Sequence, residues 1–133
     1  MNRRQEREQA FILIFEKLFR PDIDMNTIIE MAEESEFMVP SEFAKNLSKI
    51  VDENKVTIDQ NVQSVSIGWN TSRMSKVALA IIRLAIAEMR YIEDIPVSVS
   101  INEAVELTKK YASSEDASFV NGVLGTIARQ TEN

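Results

Sequence analysis

The sequence predicts an all-α protein, a bundle of six helices in two groups of three. Only three Gly and three Pro occur in 133 residues, so few positions interrupt a helix. Apolar residues recur three and four positions apart through most of the chain, which is the period of a helix with one buried face. No segment alternates apolar and polar residues in the way that a half-buried strand does. A single domain of helices joined by short loops is therefore expected.

The first three helices are predicted from residues that cap a helix or end one. Asn2 starts the first helix, and Gln5 three positions later completes a capping-box pattern. Pro21 ends this helix, because proline cannot continue the backbone hydrogen-bond ladder. Asp24 is the expected cap of the second helix, and the Pro40-Ser41 step opens the third. The apolar stripes of these helices contain Phe11, Ile14, Phe15 and Leu18, then Ile28, Ile29 and Ala32, and then Phe43, Leu47, Ile50 and Val51.

A loop in mid-chain separates the two groups of helices. It is the segment GWNTSR at residues 68–73, which is rich in residues that favour turns. The expected helical halves are about residues 1–68 and 69–133 of one domain. We interpret Trp69 as a lid over the core, with a functional ring as the alternative.

The last three helices follow from a further set of caps and a proline. Ser75 is the expected cap of the fourth helix, which runs to about Ile92. Pro96 prevents that helix from continuing and marks the boundary to the fifth. The expected caps of the fifth and sixth helices are Ser98 or Ser100, and Ser113 or Ser114. Gly122 and Gly125 inside the sixth helix indicate close approach of another helix or a ligand, because glycine lowers helix stability.

The composition excludes several chemistries. The chain has no Cys and no His, which removes thiol nucleophiles, disulfides, Cys/His zinc sites and imidazole bases. The apolar run at residues 77–87 is shorter than a membrane span and contains Arg83, so we interpret it as a buried core helix. The N-terminal apolar run lacks a signal-peptide cleavage site. We expect a cytoplasmic protein with no membrane anchor, no cofactor, no metal and no enzymatic activity.

The net charge of −6 has the wrong sign for a protein that coats nucleic acid by bulk electrostatics. The charge is unevenly distributed, since ten acidic residues face three lysines between Asp22 and Asp59. The first twenty residues are locally basic, with five Lys or Arg against three Glu. A basic end favours an anionic partner, whereas an acidic surface that serves only solubility is the alternative.

Two stretches resemble the signatures of one protein family. The first is IPVSVSINEAVELTKKYASSEDASFVNGVLGTIAR, from Ile95 to Arg129, with its INEA and FVNGVL motifs in register. The second is the opening RRxxRExA pattern, which begins at Arg3. Between them lie further similar residues, namely Trp69, Arg73 and IIRLAIAE at 81–88. By these motifs the chain resembles the NusB family over essentially its whole length.

The resemblance implies a fold of two orthogonally packed three-helix groups. It also implies a transcription antitermination factor that binds the boxA element of nascent ribosomal RNA together with NusE, a ribosomal small-subunit protein, and helps RNA polymerase to pass terminators. The implied RNA-binding residues are Arg3, Arg4, Arg7, Phe119 and Asn121. The implied partner-binding residues are Ala78 and Glu115. Monomer and homodimer both stay open.

Three positions on these surfaces depart from the family pattern. Glu6 places an acid among the arginines, Ser118 stands where a basic residue often precedes the FVNG run, and Ala78 replaces a commonly acidic residue. Each missing cation removes part of the attraction for RNA phosphates. We therefore expect weak RNA binding by the protein alone. A helical protein-binding adaptor with little RNA affinity is the alternative function.

The aromatic and amide candidates leave two roles open. Phe119 is either a core side chain or a ring on which a base stacks, and Asn121 is either a local cap or a reader of a base edge. Arg3 and Arg7 are four positions apart and share a helix face, so they could hold phosphates together.

The remaining charged residues are predicted to form structural pairs or solvated surface. Arg4 lies four positions before Glu8, which favours a surface ion pair. Arg83 is expected to bond to a glutamate such as Glu103, because a lone charge in an apolar helix is costly. Glu88 has no spacing typical of a metal or catalytic pair and is expected to be solvated.

Overall fold

The computed structural model describes residues 1–65 and 74–131. Within these residues the chain forms six helices and no strand, as the sequence predicts. The helices are α1 (Arg3–Phe19), α2 (Met25–Ser35), α3 (Glu42–Val65), α4 (Lys76–Tyr91), α5 (Val97–Tyr111) and α6 (Ser114–Thr131). The predicted mid-chain loop, with Trp69 and Arg73, lies outside the described residues.

Most of the predicted helix caps are confirmed. The Asn2 side chain accepts a hydrogen bond from the Gln5 backbone at 2.9 Å, and the Gln5 side chain accepts one from the Asn2 backbone at 3.0 Å. Asp24 and Ser75 cap α2 and α4 in the same way, each accepting from the backbone nitrogen three positions on. Ser41 and Ser113 do so for α3 and α6. Each cap satisfies a backbone donor that the first turn of a helix leaves free.

The start of α5 differs from the prediction. The helix begins at Val97, directly after Pro96, and no side chain caps it. Ser98 and Ser100 therefore lie inside the helix and not at its N-cap. The Ser100 hydroxyl instead donates a hydrogen bond to Glu88 of α4 at 2.9 Å. The Ser100 side chain, predicted as a possible helix cap, therefore makes a tertiary contact instead.

The fourth helix is the centre of the fold. It packs against α1, α3, α5 and α6, and its residues from Ala78 to Glu88 are buried except for the partly exposed Arg83. This confirms that the apolar run is a core helix. One apolar core extends from α1 and α3 through α4 to α5 and α6, so the two predicted halves share it. Among the described residues, no helix is both long and apolar enough to cross a membrane.

A smaller apolar cluster joins α2 to α1. Its buried members are Leu13, Met25, Ile28 and Ile29, and Ile23, Ala32 and Met38 pack at its edge. The side chains of α2 thus form a second apolar cluster with α1, separate from the main core. Burial of each large aliphatic side chain contributes about 1.5–3 kcal/mol.

Candidate nucleic-acid interface

Arg7 lies in the interior, contrary to its predicted place on the RNA surface. Its side chain is 4% exposed and faces Glu88, which is fully buried. Arg7 Nη2 lies 2.7 Å from Glu88 Oε1, and Arg7 Nε lies 2.8 Å from Glu88 Oε2. Together with the hydrogen bond from Ser100, this pair joins α1, α4 and α5. Arg7 is corrected to a structural residue, because its guanidinium is covered and already bound. The solvated role predicted for Glu88 is wrong for the same reason.

Arg4 lies on the outer side of α1 and points to α5. Its side chain is 62% exposed, and it donates from Nε to Glu103 Oε2 at 2.9 Å and from Nη2 to Glu103 Oε1 at 3.1 Å. The hydrogen bond and charge of Glu103 raise the pKa of Arg4. The predicted Arg4–Glu8 pair is therefore wrong. So is the predicted bond between Arg83 and Glu103, because Arg83 binds Asp59 of α3 at 2.7 Å instead.

Arg3 stands at the very start of α1 and is half exposed. Its guanidinium carbon lies 3.9 Å from the centre of the Phe43 ring, in a cation–π contact with α3. Its Nη1 also lies 3.7 Å from Glu6 Oε1. Arg3 and Arg4 thus keep exposed guanidinium groups, although each has a carboxylate partner.

Glu8 connects the outer side of α1 to the end of α5. Lys110 Nζ lies 2.9 Å from both Glu8 oxygens, and the Tyr111 hydroxyl donates to Oε1. Burial opposes ionisation of Glu8, but the hydrogen bonds from Tyr111 and Lys110 outweigh it and lower its pKa. Burial and the Glu8 hydrogen bond raise the pKa of Tyr111 to about 12.

The two candidates on α6 differ in burial. Phe119 is half-buried and packs against the main core, so the core contact exists and part of the ring still meets solvent. Asn121 is exposed and lines an open groove of about 580 Å³ between α5 and α6. This placement leaves both predicted roles of Phe119 open. Asn121 lies inside α6 and is not a helix cap, so that alternative is wrong, and its role as a reader of a base edge stays a prediction.

The groove contains two polar side chains that the sequence analysis did not single out. Asn102 and Lys109 of α5 line it together with Ser118 and Asn121 of α6. Their spacing of seven places Asn102 and Lys109 on one face of a helix. That signal was present in the sequence, but the position of α6 against this face was not.

The fifth helix separates the two sets of RNA-binding candidates. Its Glu103 and Lys110 face α1, where they bind Arg4 and Glu8. Its Asn102 and Lys109 line the groove that also contains Asn121. Arg4 and Asn121 therefore lie on either side of α5. A strand of RNA that reached both would have to cross this helix.

The predicted close approach of another helix to the α6 glycines is wrong for the described residues, and the alternative, close approach of a ligand, stays a prediction. A Cβ atom at Gly122 would meet nothing within 4 Å. At Gly125 it would lie 3.5 Å from Arg129, an ordinary contact.

The partner-binding candidates are also treated differently by the fold. The Ala78 side chain is buried in the main core, so its direct contact with a partner is corrected. Glu115 is exposed in the first turn of α6.

The surface around Glu115 includes the start of α4. Asp116, the neighbour of Glu115, lies 3.5 Å from the Ser75 hydroxyl at the start of α4. Lys76, the residue after Ser75, has its Nζ 5.4 Å from the exposed ring of Phe19. We call these neighbouring residues the α4 corner: Phe19, Ser75, Lys76, Glu115 and Asp116.

Comparison with known proteins identifies a family and several relatives of this chain. The model of the NusB family matches residues 4–129. The transcription antitermination protein NusB of Acetivibrio thermocellus is 42% identical, over 97% of this chain and 90% of the relative. That of Clostridium acetobutylicum is 38% identical, over 99% and 98%.

Solved structures show the same fold. NusB of T. maritima is 32% identical and superposes with a TM-score of 0.85, over 97% of this chain and 92% of that one. A crystal structure of the antitermination factors NusB and NusE with double-stranded RNA contains a chain that is 24% identical. Its TM-score is 0.84, over 98% and 99% of the two chains. From the family match and these full-length relatives, we conclude that the chain belongs to the NusB family.

Proposed function

We propose that this protein is a transcription antitermination factor that binds boxA-type single-stranded RNA together with NusE. Its relatives bear the name of transcription antitermination proteins, and a protein of the same fold forms a complex with NusE and double-stranded RNA. The observation that carries the proposal is the arrangement around α5. The exposed guanidinium group of Arg4 lies on one side of α5, and a polar groove with Asn121 lies on the other. Arg3 adds a second exposed guanidinium group at the start of α1, beside α3.

The charges around α5 indicate that the protein alone binds RNA weakly. Four exposed cations of α1 and α5 have carboxylate neighbours within 4 Å. The pairs are Arg3–Glu6, Arg4–Glu103, Lys110–Glu8 and Lys109–Glu106. A phosphate must compete with a carboxylate at each of these positions, so the gain from counterion release is reduced. A basic partner that extends the surface would restore the missing attraction.

The α4 corner supplies a surface for NusE. An exposed aromatic ring at Phe19 offers apolar contact area, and Glu115 and Asp116 offer negative charge to a basic ribosomal protein. Ala78 acts there only through packing, because its side chain in the first turn of α4 is buried. In this role the protein is cytoplasmic and non-catalytic, and it joins RNA polymerase through the RNA and NusE.

The proposal is tested by titrating labelled boxA-type RNA with the protein, with and without NusE, at two salt concentrations. We expect weak, strongly salt-dependent binding by the protein alone and tighter binding with NusE. By reciprocity, RNA must tighten the binding of NusE by the same factor. Arg4→Gln should weaken RNA binding, whereas the matched control Arg20→Gln, at the opposite end of α1 and paired with Glu16, should not. Equal RNA affinity with and without NusE would contradict the proposal.

The pairing of the surface cations also favours a second candidate, a protein-binding adaptor with little RNA affinity. In that case NusE binds at the α4 corner, while RNA binds equally poorly in both titrations. A NusE affinity that RNA leaves unchanged would identify this function.

A further inference from the structure

We propose that the groove between α1 and α2 is a docking site for an amphipathic helix of a protein partner that carries Lys or Arg beside its apolar face. The groove encloses about 270 Å³. Its apolar lining includes Ile12, Leu13, Ile28, Met31, Phe37 and Met38. None of the residues assigned above to RNA or NusE lies in it.

The rim of the groove exposes apolar side chains to water. Phe37, directly after the C-cap of α2, is 97% exposed, and Ile12 and Met31 are also exposed at 42% and 40%. Single exposed apolar residues are common, but these three belong to one concave surface. A partner that covered them would remove this apolar area from water.

The groove combines a fixed floor with adaptable walls. Leu13 and Ile28 form the floor and are buried members of the cluster that joins α1 to α2. Met31 and Met38 line the walls, and methionine adapts to partners of different shape because its side chain is flexible and polarisable. A preformed floor lowers the cost of ordering the site when a ligand binds.

The charge beside the groove selects a basic occupant. From Met25 to Glu36 the chain has four exposed glutamates and no Lys or Arg. Glu34 and Glu36 adjoin the lining residue Ser35 in sequence, whereas Glu30 and Glu33 lie on the face of α2 away from the groove. Glu33 has Lys45 at 3.8 Å, and Glu16 in the groove is bonded to Arg20 at 2.9 Å, so part of the charge is offset. The surplus along α2 disfavours RNA and also a second copy of this acidic chain, which would bring like charges together.

The shape fits a short helix. The groove follows α2, whose 11 residues extend over about 16 Å. A partner helix of about ten residues spans this length, with apolar side chains at i, i+3, i+4 and i+7 directed into the groove. Its Lys or Arg side chains would then reach Glu34 and Glu36, which adjoin the lining residues Ser35 and Phe37 at the end of α2.

The probe is a synthetic, fluorescein-labelled peptide of about 14 residues, with Leu at i, i+3, i+4 and i+7, Lys on the flanks and Ala elsewhere. Two control peptides replace every Lys with Glu, or scramble the Leu positions. Binding is followed by fluorescence anisotropy with the full chain. We expect saturable binding of the Lys peptide that is at least about tenfold tighter than that of either control peptide, or about 1.4 kcal/mol.

Two variants locate the binding to the groove. Phe37→Ala should weaken the Lys peptide at least about tenfold. Val56→Ala is the matched control, because Val56 is also exposed, at 67%, but lies on α3 outside the groove. Both residues are exposed, so neither change should unfold the protein. Glu34→Lys combined with Glu36→Lys should reverse the preference and favour the Glu peptide.

Four results of the peptide titrations would overturn the proposal. They are no saturable binding of the Lys peptide, equal binding of the Lys and Glu peptides, an unchanged affinity in Phe37→Ala, and displacement of the peptide by boxA-type RNA. Sedimentation of the unliganded protein tests the second-copy alternative. A dimer that Phe37→Ala dissociates and Val56→Ala preserves would assign the groove to a homodimer and contradict the basic helix.

Discussion

The inner and outer sides of α1 use the same residue types under different conditions. On the inner side, Arg7 and Glu88 form a buried bidentate ion pair, and the Ser100 hydroxyl donates a further hydrogen bond to the Glu88 carboxylate. On the outer side, Arg4 forms a similar bidentate ion pair with Glu103, and this pair is in contact with solvent. The geometry is alike, but the accessibility is not. The inner pair can hold the fold together, whereas only the outer arginine can exchange its carboxylate for a phosphate.

This contrast divides the N-terminal arginines between structure and binding. Loss of one member of a buried pair leaves an uncompensated charge in the interior, which is costly. Loss of an exposed pair costs little, because water and salt already screen it. A substitution that tests RNA binding must therefore be placed on the outer side of α1, or instability will mask the result.

The largest expected effect is on the inner pair. Arg7→Ala should lower the free energy of unfolding by about 3–5 kcal/mol, because Glu88 remains buried without its partner. Arg4→Ala is the matched control and should unfold close to the parent protein. Chemical denaturation followed by circular dichroism measures both. An Arg7→Ala variant that unfolds like the parent would remove the distinction between the two sides.

A second experiment separates the charge pair from the packing it occupies. Replacing the whole network, with Arg7→Met, Glu88→Leu and Ser100→Ala together, should restore most of the stability that Arg7→Ala loses. The reason is that apolar side chains of similar volume often replace a buried ion pair at little cost. The same denaturation measurement applies. A triple variant as unstable as Arg7→Ala would mean that the pair itself contributes the net stability.

Phe119 should show an intermediate effect. Because the ring is half-buried against the core, Phe119→Ala should cost about 1–3 kcal/mol, less than the 3–5 typical of a fully buried ring. If its exposed part stacks on a base, RNA affinity should fall as well. Asn121→Ala, two positions away and exposed, should leave stability nearly unchanged. A loss in Phe119→Ala as large as that of a core residue, with RNA binding unaffected, would assign Phe119 to the core alone.

The smallest expected effect is a pH response on the outer side of α1. The folded pKa of Tyr111, about 12, lies above its ordinary value of 10.0. The protonated phenol therefore supports the fold fully below pH 10, and this support is lost as the pH rises towards 12. Ultraviolet absorbance of tyrosinate should show the late titration, and Glu8→Gln should make Tyr111 titrate earlier. An unchanged titration in Glu8→Gln would contradict the contact.

Local features of this fold could be predicted from sequence, because they depend on residues a few positions apart. The caps at Asn2, Asp24 and Ser75 are of this kind. The partner of Arg7 is different, because Glu88 lies 81 positions away and only the packing of α1 on α4 brings them together. The burial of Ala78 is also tertiary, since it follows from the central place of α4.

One sequence signal for the inner role of Arg7 was present. Arg7 continues the stripe of Ala10 and Ile14, both of which are buried, so an arginine at this position points inward. Arg3 begins the same stripe, but at the helix end it contacts the Phe43 ring of α3 and stays half exposed. The apolar stripe predicts the direction of a side chain. Whether that side chain is buried depends on whether other helices pack over it.

The most direct test of the account is RNA affinity after each half of the outer pair is changed. Arg4→Gln removes the cation, whereas Glu103→Gln removes the carboxylate that competes with phosphate for it. With labelled boxA-type RNA and NusE present, we expect Arg4→Gln to weaken binding about threefold or more and Glu103→Gln to strengthen it by a similar factor. Both variants should unfold like the parent protein. If both changes weakened RNA binding, or neither altered it, Arg4 would not contact phosphate and the outer side of α1 would not be an RNA surface.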